Sequence, residues 1–175
     1  MEEWCRFLVE GQKSNWDRLR RIVACLIRAF RIPAHPQSQI EVYRNSKTSL
    51  KSSPTPLTVF DVIEAEKKIV QAAQAQSFPV ETDKTVITVQ LARLKPFEDE
   101  GILRVGGRSK HSELQYDAKN PVILPGEHKV TGLIVLRCHH LTGHAGTYQV
   151  LAEIKQRFWI VMGASSVRRV LHLQH

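Results

Sequence analysis

Two closely spaced histidines near the C-terminus constrain the fold more than any other feature of this sequence. His139 or His140 is followed by His144, and helical patterns lie before and after the pair. Two histidines four or five residues apart, with a second close pair of ligands about thirty residues later, can close a tetrahedral zinc site over a small helical unit. The sequence ends at His175, about where that second pair is expected. We therefore expect a zinc module in which half of the ligand set is missing or altered.

Composition and charge narrow the class of protein. Hydrophobic residues make up 42% and charged residues 24% of the 175 residues, which is typical of a globular chain. The net charge of +8 favours polyanionic partners, of which we predict nucleic acid. Cys5, Cys25 and Cys138 form no CxxC pair, and no apolar run has bilayer length. The N-terminal residues lack the basic and apolar regions of a signal peptide, so none is expected. We expect a soluble intracellular protein of the nucleus or cytoplasm, with no membrane partner.

Two helices are predicted in the first eighty residues. Ser14 and Asp17 have the form of a capping box before apolar residues at helical spacing, so a helix is expected over 14–31. Prolines and small polar residues predict a flexible linker over 32–57. Thr58 and Asp61 give a second N-cap signal. The predicted buried stripe of that second helix comprises Val59, Val62, Ile63, Ile69, Val70 and Ala73.

The hydrophobic period changes to that of β-strands between residues 94 and 125. Residues 94–105 predict a hairpin around an acidic turn at 98–101, and 121–125 predict a third short strand. The pattern then returns to helix and reaches Phe158, Trp159 and Ile160. Three short helices are expected to meet around the histidines. The predicted fold is mainly α with a small β-hairpin unit.

Four motifs taken together resemble one family of retroelement proteins. They are Leu94-x-Pro96-Phe97-x-x-x-Gly101-Ile102-Leu103-Arg104-Val105-Gly106-Gly107-Arg108, Asn120-Pro121-Val122-Ile123-Leu124-Pro125, His139-x4-His144-Ala145-Gly146 and Phe158-Trp159-Ile160. This combination closely resembles the segment of Bel/Pao long-terminal-repeat retrotransposon polyproteins that leads into the integrase. Residues 16–30 and 64–70 are similar to the connector between the ribonuclease H and integrase regions of that family. The resemblance covers nearly the whole chain.

The resemblance implies a division of the chain. Residues 91–175 correspond to an integrase N-terminal zinc-binding domain of the His-His-Cys-Cys type, truncated at its C-terminus, whose three-helix core is held by the metal. Residues 1–31 then form a helical connector, 32–57 a flexible linker, and 58–90 a helix and loop connector. The expected architecture is a helical connector followed by a β-hairpin and a three-helix zinc-binding bundle.

The resemblance also implies a set of zinc ligands. His139 and His144 match the two histidines of the family, and His140 is the alternative first ligand. The first cysteine of the family falls at about Gln174, and the second lies beyond the end of the sequence. A weak or incomplete zinc site is therefore expected. Two later histidines are alternative ligands in place of the cysteines: His172 and His175.

The expected function is non-catalytic. The catalytic core of such an integrase follows the zinc domain and is absent from this sequence, so we predict that the chain is not an enzyme. Its predicted role is nucleic-acid binding in support of DNA integration by the parent polyprotein, with Arg168 and Arg169 lying on the phosphate backbone. The alternatives are a protein-protein interaction module that forms a homo-oligomer, and an inert truncated remnant.

Overall fold

The computed structural model describes residues 15–31, 56–78, 91–106 and 115–173. Within these ranges the chain is mainly helical with a small four-stranded sheet, which confirms the predicted fold class at that level. The helices are α1 (Trp16–Arg31), α2 (Val59–Ser77), α3 (Tyr116–Lys119), α4 (Lys129–Leu141), α5 (Thr147–Ile154) and α6 (Gly163–His172). The strands are β1 (Phe97–Asp99), β2 (Ile102–Arg104), β3 (Val122–Leu124) and β4 (Phe158–Ile160).

Short polar side chains start both N-terminal helices. Asn15 Oδ1 accepts a hydrogen bond of 2.9 Å from the Asp17 N–H at the start of α1, while Ser14 lies outside the described residues. Thr58 Oγ1 accepts from the Asp61 N–H at 3.2 Å, and the Asp61 carboxylate accepts from the Thr58 N–H at 2.9 Å. This reciprocal pair confirms the capping box predicted for α2.

The buried face of α2 begins later than the sequence predicted. Ile69, Val70 and Ala73 are buried as expected, but Val59 and Ile63 are 77% and 60% exposed. The first turns of α2 lie beside the end of α1, whereas the later turns pack against the sheet and α4. The prediction was wrong for the first turns because helical spacing identifies an apolar face without identifying what covers it.

A single sheet with the order β1-β2-β3-β4 contains the predicted hairpin. The strands β1 and β2 are antiparallel with Asp99 opposite Ile102, and β3 pairs antiparallel with β2, which confirms the hairpin and the third strand. The strand β4 is a correction, because the sequence pattern placed Phe158–Ile160 within a helical stretch. Aromatic and β-branched side chains suit a strand, and β4 pairs in parallel with β3, so that Val122 is opposite Phe158.

The helix α4 lies at the centre of the hydrophobic core. Val130, Leu133, Ile134 and Cys138 are all buried, which confirms that they share one apolar face. The helix contacts α1, α2, α5 and α6. His128 caps its N-terminus, since the Nδ1 atom accepts a hydrogen bond of 3.2 Å from the Val130 N–H.

The core also includes the two N-terminal helices. Trp16, Leu19 and Val23 of α1 and Ile69 of α2 belong to the same buried cluster as Val130 of α4. The predicted boundary between connector and zinc-binding domain stays a prediction. In the described ranges, helices α1 and α2 before residue 91 and helix α4 after it contribute to one buried apolar cluster.

Two buried polar residues of α2 join the N-terminal helices to the rest of the core. Glu66 is 8% exposed, and its carboxylate accepts hydrogen bonds from Arg20 of α1 at 2.7 Å and from Arg157 beside β4 at 2.8 Å. The Gln74 amide donates to the carbonyl oxygens of Leu103 and Ile123 at 2.9 and 2.7 Å, and accepts from the Leu103 N–H at 2.8 Å. Both side chains are satisfied by partners far away in sequence.

The helices differ in how much apolar surface they expose to solvent. No helix in the described ranges combines the length and apolarity needed to cross a bilayer. The first turns of α2 nevertheless expose three large apolar side chains, Val59, Phe60 and Ile63.

From the contacts of Glu66 we predict that this residue stabilises the folded chain. In Glu66→Ala the guanidinium of Arg20, whose side chain is only 17% exposed, loses its interhelical partner. We expect the free energy of unfolding to fall by about 2 kcal/mol, less than for a fully buried pair because Arg157 is exposed to solvent. Urea unfolding monitored by circular dichroism measures this change.

The matched control is Glu127→Ala, which removes the carboxylate of an ion pair to Arg169 in which Glu127 is 90% exposed. An exposed pair contributes about 0.2–1 kcal/mol, so this variant should lose less stability. Equal losses in the two variants would contradict the role assigned to Glu66.

Candidate metal centre

A left-handed turn at the end of α4 brings His144 back against the helix. The N–H groups of Gly143 and His144 donate to the carbonyl oxygens of His140 and His139, at 3.2 and 2.8 Å. The φ angles are +66° at Gly143 and +62° at His144. Glycine adopts this conformation freely, but for an L-residue such as histidine it costs about 1–2 kcal/mol. The fold therefore accepts backbone strain at one of the predicted ligands.

One hydrogen bond fixes the orientation and tautomer of the His139 ring. Its Nδ1 atom lies 3.0 Å from the carbonyl oxygen of Ala145. Because a carbonyl oxygen can only accept, Nδ1 carries the proton and Nε2 of the neutral ring keeps its lone pair. The Nε2 atom lies 3.2 Å from Nδ1 of His144 and, without a metal, accepts a hydrogen bond from the N–H at that Nδ1.

The geometry of this pair fits two ligands of one zinc ion. Two zinc–nitrogen bonds of about 2.05 Å at the tetrahedral angle place their nitrogens about 3.3 Å apart. The observed separation between His139 Nε2 and His144 Nδ1 is 3.2 Å. A zinc-bound histidine commonly donates its other N–H to a carbonyl oxygen, as His139 does to Ala145.

The His140 ring lies beside this pair. Its centre is 5.0 Å from that of His144 and 6.0 Å from that of His139, while the centres of His139 and His144 are 4.8 Å apart. The ring is exposed and has no hydrogen-bond partner among the described residues. Of the two candidates for the first ligand, His139 is the one whose ring nitrogen faces His144.

The neighbouring cysteine is unsuited to metal binding. Cys138 is buried on the opposite side of the turn, and its Sγ donates to the carbonyl oxygen of Val150 at 3.6 Å. Burial raises the pKa of the Cys138 thiol, so the thiolate that a metal requires is disfavoured.

The remaining ligands of a complete site are not assembled in the described part of the chain. His172 is exposed in the last turn of α6, and Gln174 and His175 lie outside the described residues. In residues 15–31, 56–78, 91–106 and 115–173, no three His, Cys, Asp or Glu side chains are arranged to hold one ion. The structure therefore contains a two-nitrogen pair with a third imidazole beside it.

The two arginines predicted to bind nucleic acid have different surroundings. Arg168 is exposed and forms no ion pair within the described ranges. Arg169 donates to the Glu127 carboxylate at 2.9 Å and to the carbonyl oxygen of Gly126 at 2.8 Å. Of these two arginines, only Arg168 has a guanidinium without a competing partner among the described residues.

A groove of about 750 Å³ lies between α6 and α4, and His140 is part of its lining. Residues from α4 and α6 line it, including His140, Arg169 and Leu173. Leu173 directly follows α6 and lies in the same groove as His140.

Comparison of the chain with protein-family models, with curated proteins and with solved structures finds no match. The resemblance to Bel/Pao polyproteins therefore stays a prediction. The candidate centre rests on its own geometry.

The strained backbone at His144 allows the effect of this residue on stability to be separated from its effect on zinc binding. With metal removed by a chelator, His144→Gly should be more stable than His144→Ala by about 0.5–1 kcal/mol, because glycine tolerates the left-handed turn. Both variants lose the imidazole and should bind zinc more weakly than the wild type. Thermal unfolding with and without zinc measures both effects. A glycine variant less stable than the alanine variant would contradict the strained turn.

Proposed function

We propose that this chain is a non-catalytic, integrase-type zinc-binding module of a Bel/Pao-like retrotransposon polyprotein, and that it supports DNA integration by binding nucleic acid. The observation that carries the proposal is the 3.2 Å separation of His139 Nε2 from His144 Nδ1. The mutual contacts of α4, α5 and α6 are consistent with a three-helix bundle behind these histidines. His139 lies in the last turn of α4, and His144 lies in the turn that joins α4 to α5.

Zinc would supply the stability that so small a bundle needs. A complete structural zinc site contributes about 10 kcal/mol or more to the folding of a small domain, which is comparable with the net stability of the whole domain. Two imidazoles alone give weaker binding, because half of the coordination positions are left to other donors. Leu173, the last described residue, lines the same groove as His140.

Charge supports nucleic acid as the partner. The net charge is +8, and Arg168 on α6 has an exposed guanidinium. Arg18 and Arg21 of α1 are also exposed. Contacts from such side chains to phosphates are independent of sequence and weaken as salt is added.

The acidic turn of the hairpin has contacts that favour a structural role. The Asp99 carboxylate pairs with Arg104 and accepts a hydrogen bond of 2.8 Å from the Tyr116 hydroxyl. Glu100 pairs with Lys67 of α2. Because these carboxylates bind cationic or hydroxyl groups of the same chain, we assign them to the fold and not to a two-metal catalytic site.

Duplex DNA binding tests the proposed function. The full chain should bind in a fluorescence-anisotropy titration, with an affinity that falls as salt rises. Arg168→Ala should weaken binding and reduce the slope of log K against log salt by about 1. Arg169→Ala is the matched control on the same helix, and its effect should be smaller because Arg169 is held by Glu127. Absence of binding by the wild type at low salt would exclude the nucleic-acid role.

Self-association is the second candidate function. The observation that favours it is the exposure of Val59, Phe60 and Ile63, which are 77%, 66% and 60% accessible at the start of α2. Apolar side chains clustered in this way are typical of interaction surfaces. Static light scattering distinguishes the candidates, because a monomer at high concentration excludes self-association.

A further inference from the structure

We propose that His128 is a pH-sensitive switch at the N-terminus of α4, in which the neutral ring caps the helix and a second proton on the ring breaks the cap. The inference is independent of the proposed zinc site and of nucleic-acid binding. It concerns the attachment of α4 to the two N-terminal helices. Val130, in the first turn of α4, belongs to the same buried cluster as Leu19 of α1 and Ile69 of α2.

Two hydrogen bonds fix the tautomer of the His128 ring. Its Nδ1 atom accepts a hydrogen bond of 3.2 Å from the Val130 N–H, and a ring nitrogen that accepts in this way carries no proton. The proton of the neutral ring is therefore on Nε2, which donates to Oε1 of Gln76 in α2 at 3.1 Å. The neutral ring thus satisfies a donor of α4 and an acceptor of α2 at the same time.

A second proton would occupy the ring nitrogen that forms the cap. Both nitrogens of an imidazolium donate, so Nδ1–H would face the Val130 N–H and the cap would be lost, while the bond to Gln76 would remain. Val130 is buried, so water does not readily replace the lost acceptor. The charged ring of His128 would also lie at the positive end of the α4 dipole. Protonation of the folded chain is therefore disfavoured at this position.

Burial of His128 acts in the same direction. His128 lines a small apolar cavity together with Leu19 and Val23 of α1 and Ile69 of α2. Loss of solvent in this environment disfavours the charged ring and lowers the pKa of His128.

The charged and titratable groups around His128 do not offset this effect. The carboxylate of Glu127 is the acidic group among them, and it is 90% exposed and paired with Arg169. It therefore does little to stabilise a protonated ring. The other such groups in the groove beside His128 are basic or neutral side chains of α4: Lys129, Arg137 and His140.

The segment before α4 is held independently of the ring. The buried Thr131 hydroxyl donates to the carbonyl oxygen of Pro125 at 2.6 Å, and the His128 N–H donates to the same oxygen at 3.4 Å. Neither contact involves the imidazole. Protonation therefore removes the cap while the backbone that positions His128 stays in place.

Acid should destabilise the folded chain through His128. Below about pH 6.5, a histidine of the unfolded chain takes up a proton before the buried His128 ring does. The contribution of His128 to stability is therefore complete above that pH and is lost as the pH falls to the lowered pKa of the folded state. Loss of a helix cap corresponds to about a 2–30-fold change in the unfolding equilibrium constant.

Urea unfolding of the full chain at about pH 7.5 and about pH 5 tests the switch, with a chelator present so that no metal contributes. His128→Asn is the matched variant, because asparagine caps helices well and does not titrate in this range. Between the two pH values the unfolding equilibrium constant of the wild type should rise about 2–30-fold more than that of the variant. The other histidines are common to both proteins, so their contributions cancel. Equal pH dependence in the two proteins would overturn the proposal.

Spectra of the wild type provide a second test that does not depend on the folding of a variant. Long-range proton–nitrogen correlation spectra should show the His128 proton on Nε2 at neutral pH, as the contact with Val130 requires. The amide resonance of Val130 should move with the titration of the His128 ring, with a midpoint below about 6.5. A proton on Nδ1 at neutral pH, a higher midpoint, or a Val130 resonance that does not follow the ring would each overturn the switch.

Discussion

Burial of the apolar face of α4 is the interaction on which the rest of the structure depends. This helix contacts α1, α2, α5 and α6, and Val130, Val135 and Ile134 belong to its buried face. Removing this surface from water supplies the main favourable free energy for assembling the helices. The same packing fixes the direction of the last turn of α4, and with it the position of His139.

The candidate metal centre is a local extension of that helix. Two consecutive left-handed residues, Gly143 and His144, turn the chain, and the carbonyl oxygen of Ala145 holds the His139 ring. In the proposed zinc site both nitrogen donors would already be in place, so that less ordering free energy would be spent on binding. Strained backbone at a residue other than glycine is common at functional sites, so the φ angle of His144 is consistent with the proposed metal site.

Patterns among neighbouring residues predicted most of the helices and the hairpin. The features that these patterns did not predict depend on contacts between residues distant in sequence. Helical spacing identified the buried face of α4, and Thr58 with Asp61 identified the start of α2. The strand β4 was missed because its partner, β3, is distant in sequence and a three-residue strand has too few residues to show a period of two. The sequence predicted histidine ligands but left the first one open between His139 and His140, and the ligand set stays a prediction. It gave no sign of the Ala145 hydrogen bond, although the neighbouring Gly143 and Gly146 indicate a sharp turn.

The central claim is that His139 Nε2 and His144 Nδ1 bind the same zinc ion. Long-range proton–nitrogen correlation spectra of histidine-labelled full-length protein test it most directly. Before zinc is added, the His139 ring should carry its proton on Nδ1, as its contact with Ala145 requires. One equivalent of zinc should then shift the resonances of His139 Nε2 and His144 Nδ1 together. A proton on Nε2 of His139, or zinc-dependent shifts at other histidines while these two stay unchanged, would contradict the account.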